Sequence, residues 1–570
     1  MRAPLSGSSK KFKLDHSYDD HTYDFESKHG DKDSISTISG GSKPPPYAAD
    51  PSLILETPEE RRSRKRSHWV AYATVCVMTV GFSCVLSGVW PYLHSLDKSR
   101  SLDALGWVVG ANPLGQLIFS PIVGYLGNRL GKIRYVCYVT VVFFVIGNVI
   151  YALLPYMDFS ENSVYIIMIC SRFLVGISSS NITLCRSYLA SSTTVEERTK
   201  RISYVSAAQS LGFVLGPVAQ TIFTVAFPEG TTQYEATGWF AASIGIINFI
   251  ILTPYIFQEY DIASKERQIL QQQRGEAEEE FTLPKTDYPA VVAILYCFFM
   301  NMFVYVLLET LMEPFVQDQY AWCDNAAVIV VGVSFCAAGV ISLGMFILAV
   351  RLAKKYDERK ILLFGAFIPI AIGVFLFIPW GPETITCDGC HDGTPFPSVT
   401  NGPSSNLELV SPITPEKSLP QNFNYIIGLT YLASSSDDDK YCDPGECKGC
   451  PCDEQPWCEG YNKLPLPQFY VAFLIVISGY PYGTAMSNSI FSKILGPIPQ
   501  GTWMGVLTSS GSLARVLGPV FVSYLYSSQG TIPTFSAILG GMLIAIVVIL
   551  LMFRRLVPMK IDKKGDENRI

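Results

Sequence analysis

Long apolar runs recur along this chain, and they constrain its fold more than any other feature of the sequence. A helix needs about 20 mostly apolar residues to cross the hydrocarbon core of a bilayer. Backbone inside a bilayer must satisfy its own hydrogen bonds, so each run is expected to be helical. The sequence therefore predicts an all-α membrane protein with twelve transmembrane helices, at residues 69–93, 104–127, 133–155, 163–190, 203–227, 238–257, 289–315, 325–353, 361–381, 467–490, 502–527 and 532–555.

Lysine and arginine are concentrated on one side of the predicted membrane. An even number of spans places both termini on the same side, and basic flanking segments stay in the cytoplasm. The sequence therefore predicts that both termini are cytoplasmic. The basic segments on that side are RRSRKRS (61–67), NRLGKIR (128–134), ERTKR (197–201), RLAKKYDERK (351–360) and FRRLVPMKIDKK (553–564).

A nine-residue phrase occurs twice, in the fifth and eleventh predicted spans. The copies are SLGFVLGPV (210–218) and SLARVLGPV (512–520), and seven of the nine letters agree. The second copy has Arg515 where the first has Phe213. A repeat after six spans predicts two six-helix pseudo-symmetric halves, related by an axis along the membrane normal. Chance similarity between two apolar helices is the alternative.

The predicted domain organisation follows from these features. The first segment is too poor in apolar side chains to form a core, which predicts a disordered cytoplasmic tail. The predicted parts are the tail 1–68, an N-terminal six-helix half 69–257, a cytoplasmic linker 258–288, a C-terminal six-helix half 289–555 with a cysteine-rich luminal loop 382–466, and a cytoplasmic tail 556–570.

Three short motifs resemble signatures of the major facilitator superfamily. GYLGNRLGKIR (124–134) resembles the loop between its second and third spans, with Asn128 where that family usually has Asp. RFLVG (172–176) resembles its span 4 arginine motif, and GFVLGP (212–217) resembles its span 5 motif. The resemblance implies the twelve-helix major facilitator fold and alternating access. It also implies a gating motif formed by Gly124, Asn128, Arg129, Gly131, Gly216 and Pro217.

Longer stretches are similar to a lysosomal branch of this superfamily. The longest is GYPYG…LARVLGP (479–519), and the others are residues 81–93, 105–122 and 307–322. This resemblance implies a multi-pass protein of the lysosomal or late endosomal membrane, with a role in the permeation of an anion, notably chloride.

Ionisable residues inside the predicted spans are few, and such residues usually mark a transport pathway. Arg172 and Arg515 lie near mid-depth in opposite halves, and Glu309 lies in the seventh span. The functional interpretation is that the two arginines bind an anionic solute and that Glu309 accepts a proton. The alternative is a structural pair between Glu309 and an arginine. Arg186 lies nearer a span end, where its side chain is expected to extend to the membrane surface.

The composition argues against an ordinary soluble enzyme. The chain is 49% hydrophobic and 16% charged, too apolar for an ordinary soluble enzyme. It has neither a Gly-x-Ser-x-Gly elbow nor a P-loop. We therefore predict no enzyme activity, cofactor, resident metal or nucleic-acid partner. The predicted function is transport of a small anionic solute, in contact with the lipid bilayer and with proton coupling left open. A channel-like anion conductance and a non-transporting receptor or scaffold are the alternatives.

Cysteines cluster between the ninth and tenth spans, on the predicted luminal side. Eight luminal cysteines predict four disulfides, with Cys323 bonded to a cysteine of the loop. Metal binding by the Cys447-x-x-Cys450 spacing is the alternative. The eight are Cys323, Cys387, Cys390, Cys442, Cys447, Cys450, Cys452 and Cys458.

Two short motifs in the N-terminal tail concern sorting. PPPY (Pro44–Tyr47) has the form that WW domains bind as polyproline II, and a plain proline spacer is the alternative. DPSLIL (50–55) resembles an acidic dileucine sorting signal.

Overall fold

The computed structural model describes residues 56–97, 102–268, 286–385 and 450–559, with short gaps at 158–159, 228–231, 267, 323, 383, 453–454, 459 and 497. Within those ranges every long element is a helix, which confirms the all-α prediction. The helices that fold from the apolar runs are α1 Pro58–Leu96, α2 Leu102–Leu130, α3 Ile133–Leu153, α4 Glu161–Ser179 continued by Asn181–Ser191, α5 Val195–Ala226, α6 Thr232–Ile251, α7 Tyr288–Tyr320, α8 Asp324–Leu352, α9 Glu358–Leu376, α10 Leu466–Leu495, α11 Gly501–Gln529 and α12 Thr531–Met552.

Among the helices in these ranges, eleven are long and apolar enough to cross a membrane, and α2 is the one that falls short. Its hydropathy is lowered by Asn112, Gln116 and Ser120, all of which are buried. Asn112 and Gln116 donate hydrogen bonds to Ser179 of α4. Polar groups that face other helices do not have to be exposed to lipid. We therefore count α2 as the twelfth span.

The first helix begins earlier than the sequence predicted. Residues up to 68 were expected to be disordered, but α1 begins at Pro58. Thr57 and Glu60 form a capping box, in which each side chain accepts a hydrogen bond from the other residue's backbone N–H. Arg64 is buried and pairs with Glu197 of α5 at 3.0 Å. Capping and ion pairing therefore order a segment that its lack of apolar residues suggested was disordered.

The repeated phrase occupies equivalent positions in the two groups of six helices. Gly216 of α5 packs against Ser83 of α1 so closely that a Cβ there would overlap the serine hydroxyl. Gly518 of α11 packs against α7, where a Cβ would lie 2.7 Å from Cγ1 of Val306. In each copy the glycine thus lets the fifth helix of a group approach the first. This close packing explains why the phrase recurs.

Two hydrophobic cores accompany the two groups of helices. One core is built from α1–α6, between Val70 and Phe257. The other is built mainly from α7–α12, between Ala290 and Leu556, and also takes in Ala190 and Ala207 of the first group. The groups meet where α2 packs along α11 and α5 along α8.

The described residues of the two groups are joined by hydrogen bonds at one end of the bundle only. These bonds extend from Asn128 and Gly501, where α2 ends and α11 begins, to Gln116 and Ser512, midway along the same two helices. Further along α2, an added Cβ at Gly110 would have nothing within 4 Å. The bundle is therefore closed at the end that contains Asn128 and Gly501, which is called the closed end below.

Candidate functional site

A small cavity lies where the closed end gives way to the open one. Its volume is about 40 Å³, which is room for a few water molecules. Four amide side chains contribute to its polar lining, namely Asn112, Gln116, Asn181 and Gln209. The repeated phrases meet here, because Phe213 and Arg515, the position at which the copies differ, both line the cavity. The substitution of arginine for phenylalanine therefore places a cation directly in the space between the halves.

Arg515 is half-buried, and its guanidinium forms neither a hydrogen bond nor an ion pair with any residue of the described ranges. Glu309 of α7 is within electrostatic range, but no ion pair joins the two. Tyr305 and Tyr480 are also within this range, and their rings stack at 4.7 Å between centroids. Two of the three predicted site residues, Arg515 and Glu309, thus lie within electrostatic range of each other.

Glu309 is exposed although it lies in the interior half of a spanning helix. Its carboxylate has no hydrogen-bond partner among the residues that the structure describes. The carboxyl group therefore combines neighbouring helices with accessible surface, a setting in which a carboxyl group can take part in proton transfer.

Arg186 is the charged residue whose position differs most from the expectation drawn from the sequence. It was expected to reach the membrane surface, but it is 3% exposed. Its Nη2 donates to Oε1 of Gln209 at 3.3 Å, and its Nε is buried without a partner in the described structure. It is within electrostatic range of Arg515 and Tyr480 in the other half. One guanidinium group from each half therefore lies within electrostatic range of the other, and that of Arg515 lines the cavity.

The burial of Arg186 was not predicted, because its depth in the membrane was inferred from its distance to the end of an apolar run. Helix α4 is interrupted at Ser180, and its second part packs against α11, where Thr183 donates a hydrogen bond to Thr508 at 3.1 Å. The sequence did contain a sign of this burial, because the polar residues Asn181 and Arg186 lie close together in one short apolar stretch.

Arg172 lies apart from the cavity, inside the first group of helices. Its side chain is buried, and its guanidinium carbon lies 4.4 Å from the centre of the Tyr151 ring. Nη2 is 3.4 Å from Oδ1 of Asn148. The two arginines predicted to share a binding site are therefore separated, and the predicted role of Arg172 in substrate binding stays a prediction.

The predicted gating motif lies at the closed end. Oδ1 of Asn128 accepts a hydrogen bond from the backbone N–H of Gly501 at 2.9 Å, and its Nδ2 donates to Oγ1 of Thr502 at 3.2 Å. Gly124 contacts the backbone of Gly501 so closely that a Cβ would overlap it. These contacts join α2 to the first turn of α11, across the boundary between the halves.

Other members of that motif make fewer contacts across the boundary. Gly131 has φ of 63° and forms the turn between α2 and α3, a conformation that favours glycine. Arg129 is exposed and has no polar partner within the described ranges. Pro217 lies inside α5, next to the close contact at Gly216. A gating role for these residues stays a prediction.

A second set of contacts at the closed end was not foreseen from the sequence. Arg198 of α5 is buried and donates to the carbonyl of Ser492 at 3.2 Å. Glu358, at the start of α9, pairs with Lys493 at 2.7 Å and accepts a hydrogen bond from Thr199 of the other half. These residues flank the spans, where sequence reasoning counts charges only as markers of orientation.

The described part of the cysteine-rich loop packs on the opposite end of the bundle. A disulfide joins Cys450 to Cys458, and Cys452 is also disulfide-bonded. The indole N–H of Trp457 donates to the carbonyl of Ser527 at 3.2 Å, at the end of α11. The remaining predicted disulfide cysteines, Cys323, Cys387, Cys390, Cys442 and Cys447, and the Pro44–Tyr47 motif lie outside the described residues.

The sequence of the chain matches a known protein family. A family model of the Major Facilitator Superfamily matches residues 71–389. The chain therefore belongs to this superfamily of multi-pass membrane transporters, which confirms both the predicted fold and the resemblance noted in its motifs.

Two individual proteins are similar in sequence to the chain. The chain is 32% identical over 518 residues to Major facilitator superfamily domain-containing protein 8 of Xenopus laevis, covering 89% of this chain and 94% of that protein. It is 24% identical over 297 residues to Multidrug resistance protein 2 of Bacillus subtilis, covering 51% of this chain and 68% of that one.

Solved structures share the fold at low sequence identity. The human organic anion transporter MFSD10 (TETRAN) matches with a TM-score of 0.54 and 17% identity, covering 87% of this chain and 100% of that one. The proton:xylose symporter XylE matches with a TM-score of 0.59 and 15% identity, covering 88% and 97%.

Proposed function

We propose that the chain transports a small anionic solute by alternating access, and that Arg186 and Arg515 bind this solute between the two halves. The observation that carries the proposal is that one guanidinium group from each half lies within electrostatic range of the other, while neither has an ion-paired carboxylate among the described residues. Arginine remains charged at any physiological pH. An anion between the two groups would replace their mutual repulsion with attraction.

Charge counting supports an anion rather than a neutral solute. The cluster holds two arginines and one glutamate, Glu309, so it has a formal charge of +1 when Glu309 is ionised and +2 when it is protonated. A charge inside a membrane protein is costly unless it is paired or hydrated. An anionic solute would neutralise this excess positive charge.

The size of the cavity favours a small solute. Room for a few water molecules suits chloride or another compact anion better than a bulky drug-like molecule. MFSD10, which shares the fold, is an organic anion transporter, so small organic anions belong in the same test.

Protonation of Glu309 couples the site to pH in this proposal. An ionised Glu309 competes with the solute for Arg515, and protonation removes that competition. Because Glu309 is exposed, protons arriving from the open side reach it directly. Solute binding is therefore expected to strengthen as the pH on that side falls.

The sequence supports an orientation and a location for the proposed transporter. Basic flanking segments favour a cytoplasmic position for the closed end, in which case the open side faces the lumen. The resemblance to a lysosomal branch of the superfamily supports the lysosomal or late endosomal membrane, whose acidic lumen would protonate Glu309.

Uptake by proteoliposomes that contain the purified chain tests the proposal. We expect saturable uptake of at least one small anion, faster when the open side is acidic. Arg515→Gln should lower uptake at least tenfold, whereas Arg515→Lys should retain part of it because the charge is kept.

The control is Arg554→Gln, which removes an exposed cation just beyond α12, outside the cavity, and should leave uptake unchanged. Non-saturating flux that matches a pore would favour the channel alternative. No flux of any anion, with binding confined to the luminal loop, would favour the receptor alternative.

A further inference from the structure

The outer face of the first helix begins with unpartnered cations. Arg62, Lys65 and Arg66, here called the basic stripe, are all exposed. With 3.6 residues per turn, they share one face of α1 with Trp69, which is 68% exposed. The opposite face of the same turns packs inward, where His68 is fully buried. The stripe therefore points away from the rest of the bundle.

The cations of the basic stripe are not used to hold the fold together. Neighbouring Arg64 pairs with Glu56 at 2.7 Å, and Arg61 pairs with Glu56 at 3.7 Å. No ion pair or hydrogen bond joins the side chains of the stripe to any residue in the part of the chain that the structure describes. Three cations on one face are thus available to an external partner.

The height of the stripe relative to the bilayer follows from the residues below it. Beyond Trp69, the same face continues with the apolar residues Ala73 and Val77. Tryptophan side chains concentrate at the level of the lipid headgroups. Arg62 lies about 10 Å above Trp69 at 1.5 Å per residue, and the headgroup region is about 5–8 Å thick on each side. Long basic side chains at this height reach into the headgroup layer.

We propose that the basic stripe binds the phosphate groups of anionic phospholipids in the leaflet at the closed end of the bundle. Its outward direction, unpartnered charges and position above Trp69 fit a lipid headgroup better than a soluble anion. This interaction is independent of solute transport, since the stripe lies on the outer surface and the cavity lies between the halves.

Native mass spectrometry of the full chain in detergent tests the proposal, with a phosphatidylinositol phosphate, phosphatidylserine and phosphatidylcholine added separately. We expect the two anionic lipids to bind in preference to phosphatidylcholine. Each basic residue near a membrane surface contributes roughly a fivefold preference. The triple variant Arg62→Gln, Lys65→Gln, Arg66→Gln should therefore bind anionic lipid at least tenfold more weakly.

A matched triple variant removes equal charge at the same end of the bundle. Lys354→Gln, Lys355→Gln, Lys360→Gln changes three exposed lysines in and beside α9, and it should weaken the binding of anionic lipid much less than the stripe variant does. Equal losses in the two triple variants would overturn the proposal, because binding would then depend only on net charge. A soluble inositol phosphate that binds as tightly as its lipid would also overturn it.

Replacing Arg62 and Arg66 by lysine separates lost charge from damaged folding. This variant keeps all three charges and should retain lipid binding. Its melting temperature and that of the glutamine variant should match the unmodified chain, since the replaced groups are exposed and unpartnered. Loss of lipid binding in the lysine variant would contradict a role for charge.

Discussion

Arg186 and Arg515 are the residues on which the proposed function depends. Each comes from a different half, and neither has a carboxylate ion pair within the described ranges. Arg186 also has a buried Nε without a partner in those ranges. Unpaired buried charge destabilises a fold, and such strain often accompanies function. We therefore expect that replacing Arg186 by an uncharged residue lowers transport activity and raises the stability of the fold.

Replacing Arg186 by glutamine tests that opposition. The variant should lower anion uptake at least tenfold, because the solute loses one of two cationic partners. It should raise the free energy of unfolding by about 1 kcal/mol, because removal of one charge relieves repulsion. Uptake assays and thermal melts without added solute measure both effects. A less stable variant with normal uptake would show that Arg186 is structural.

Arg172 provides a contrasting case at the same scale. Its guanidinium stacks on Tyr151 inside one half, and a buried contact of this kind contributes about 2 kcal/mol. Arg172→Gln should therefore lower the melting temperature and leave the KM for the anion within twofold of the unmodified value. A raised KM with unchanged stability would instead support the substrate-binding role that the sequence predicts.

At the scale of helices, the close approach of neighbours is set by glycines in the repeated phrase. A methyl group at Gly216 would overlap Ser83 and lie 2.7 Å from the backbone nitrogen of Cys84. A methyl group at Gly332 of α8 would have open space. The two positions therefore differ in how much the surrounding structure must shift.

Gly216→Ala should cost about 1–3 kcal/mol of stability, the usual cost of overpacking. Gly332→Ala is the matched control and should cost less than about 0.5 kcal/mol. Thermal melts of the two purified variants provide the comparison. Equal melting temperatures of the two variants would show that α1 and α5 can move apart without loss of stability.

The contact between α2 and α11 is the second feature at this scale. Asn128 accepts the N–H of Gly501 and donates to Thr502, so Asn128→Ala leaves the first turn of α11 without these partners. An unsatisfied group costs about 1–3 kcal/mol, so amide hydrogen exchange in residues 501–509 should accelerate several-fold. Arg129→Ala is the control, since Arg129 has no polar partner in the described ranges. Equal acceleration in both variants would argue against a latch at Asn128.

At the scale of the whole molecule, the fold could be predicted because a bilayer leaves few choices. The architecture could be predicted from twelve apolar runs, a repeat six spans apart and three motifs. The partners of the charged residues could not be predicted in the same way. Whether Arg172 or Arg186 approaches Arg515 depends on the interruption of α4 at Ser180 and on the packing of α2 along α11. The capped start of α1 was missed because side-chain pairing, not apolar burial, orders it.

The central claim is that an anion binds between the two halves through both arginines. The most direct measurement is the melting temperature of the purified chain in a panel of inorganic and small organic anions, with their cation held constant, at pH 5 and pH 7. A ligand that binds only the folded state raises this temperature. We expect at least one anion to stabilise the unmodified chain, more strongly at pH 5. We expect no such stabilisation of the Arg186→Gln, Arg515→Gln double variant. Equal stabilisation of the double variant by that anion would contradict binding through the two arginines.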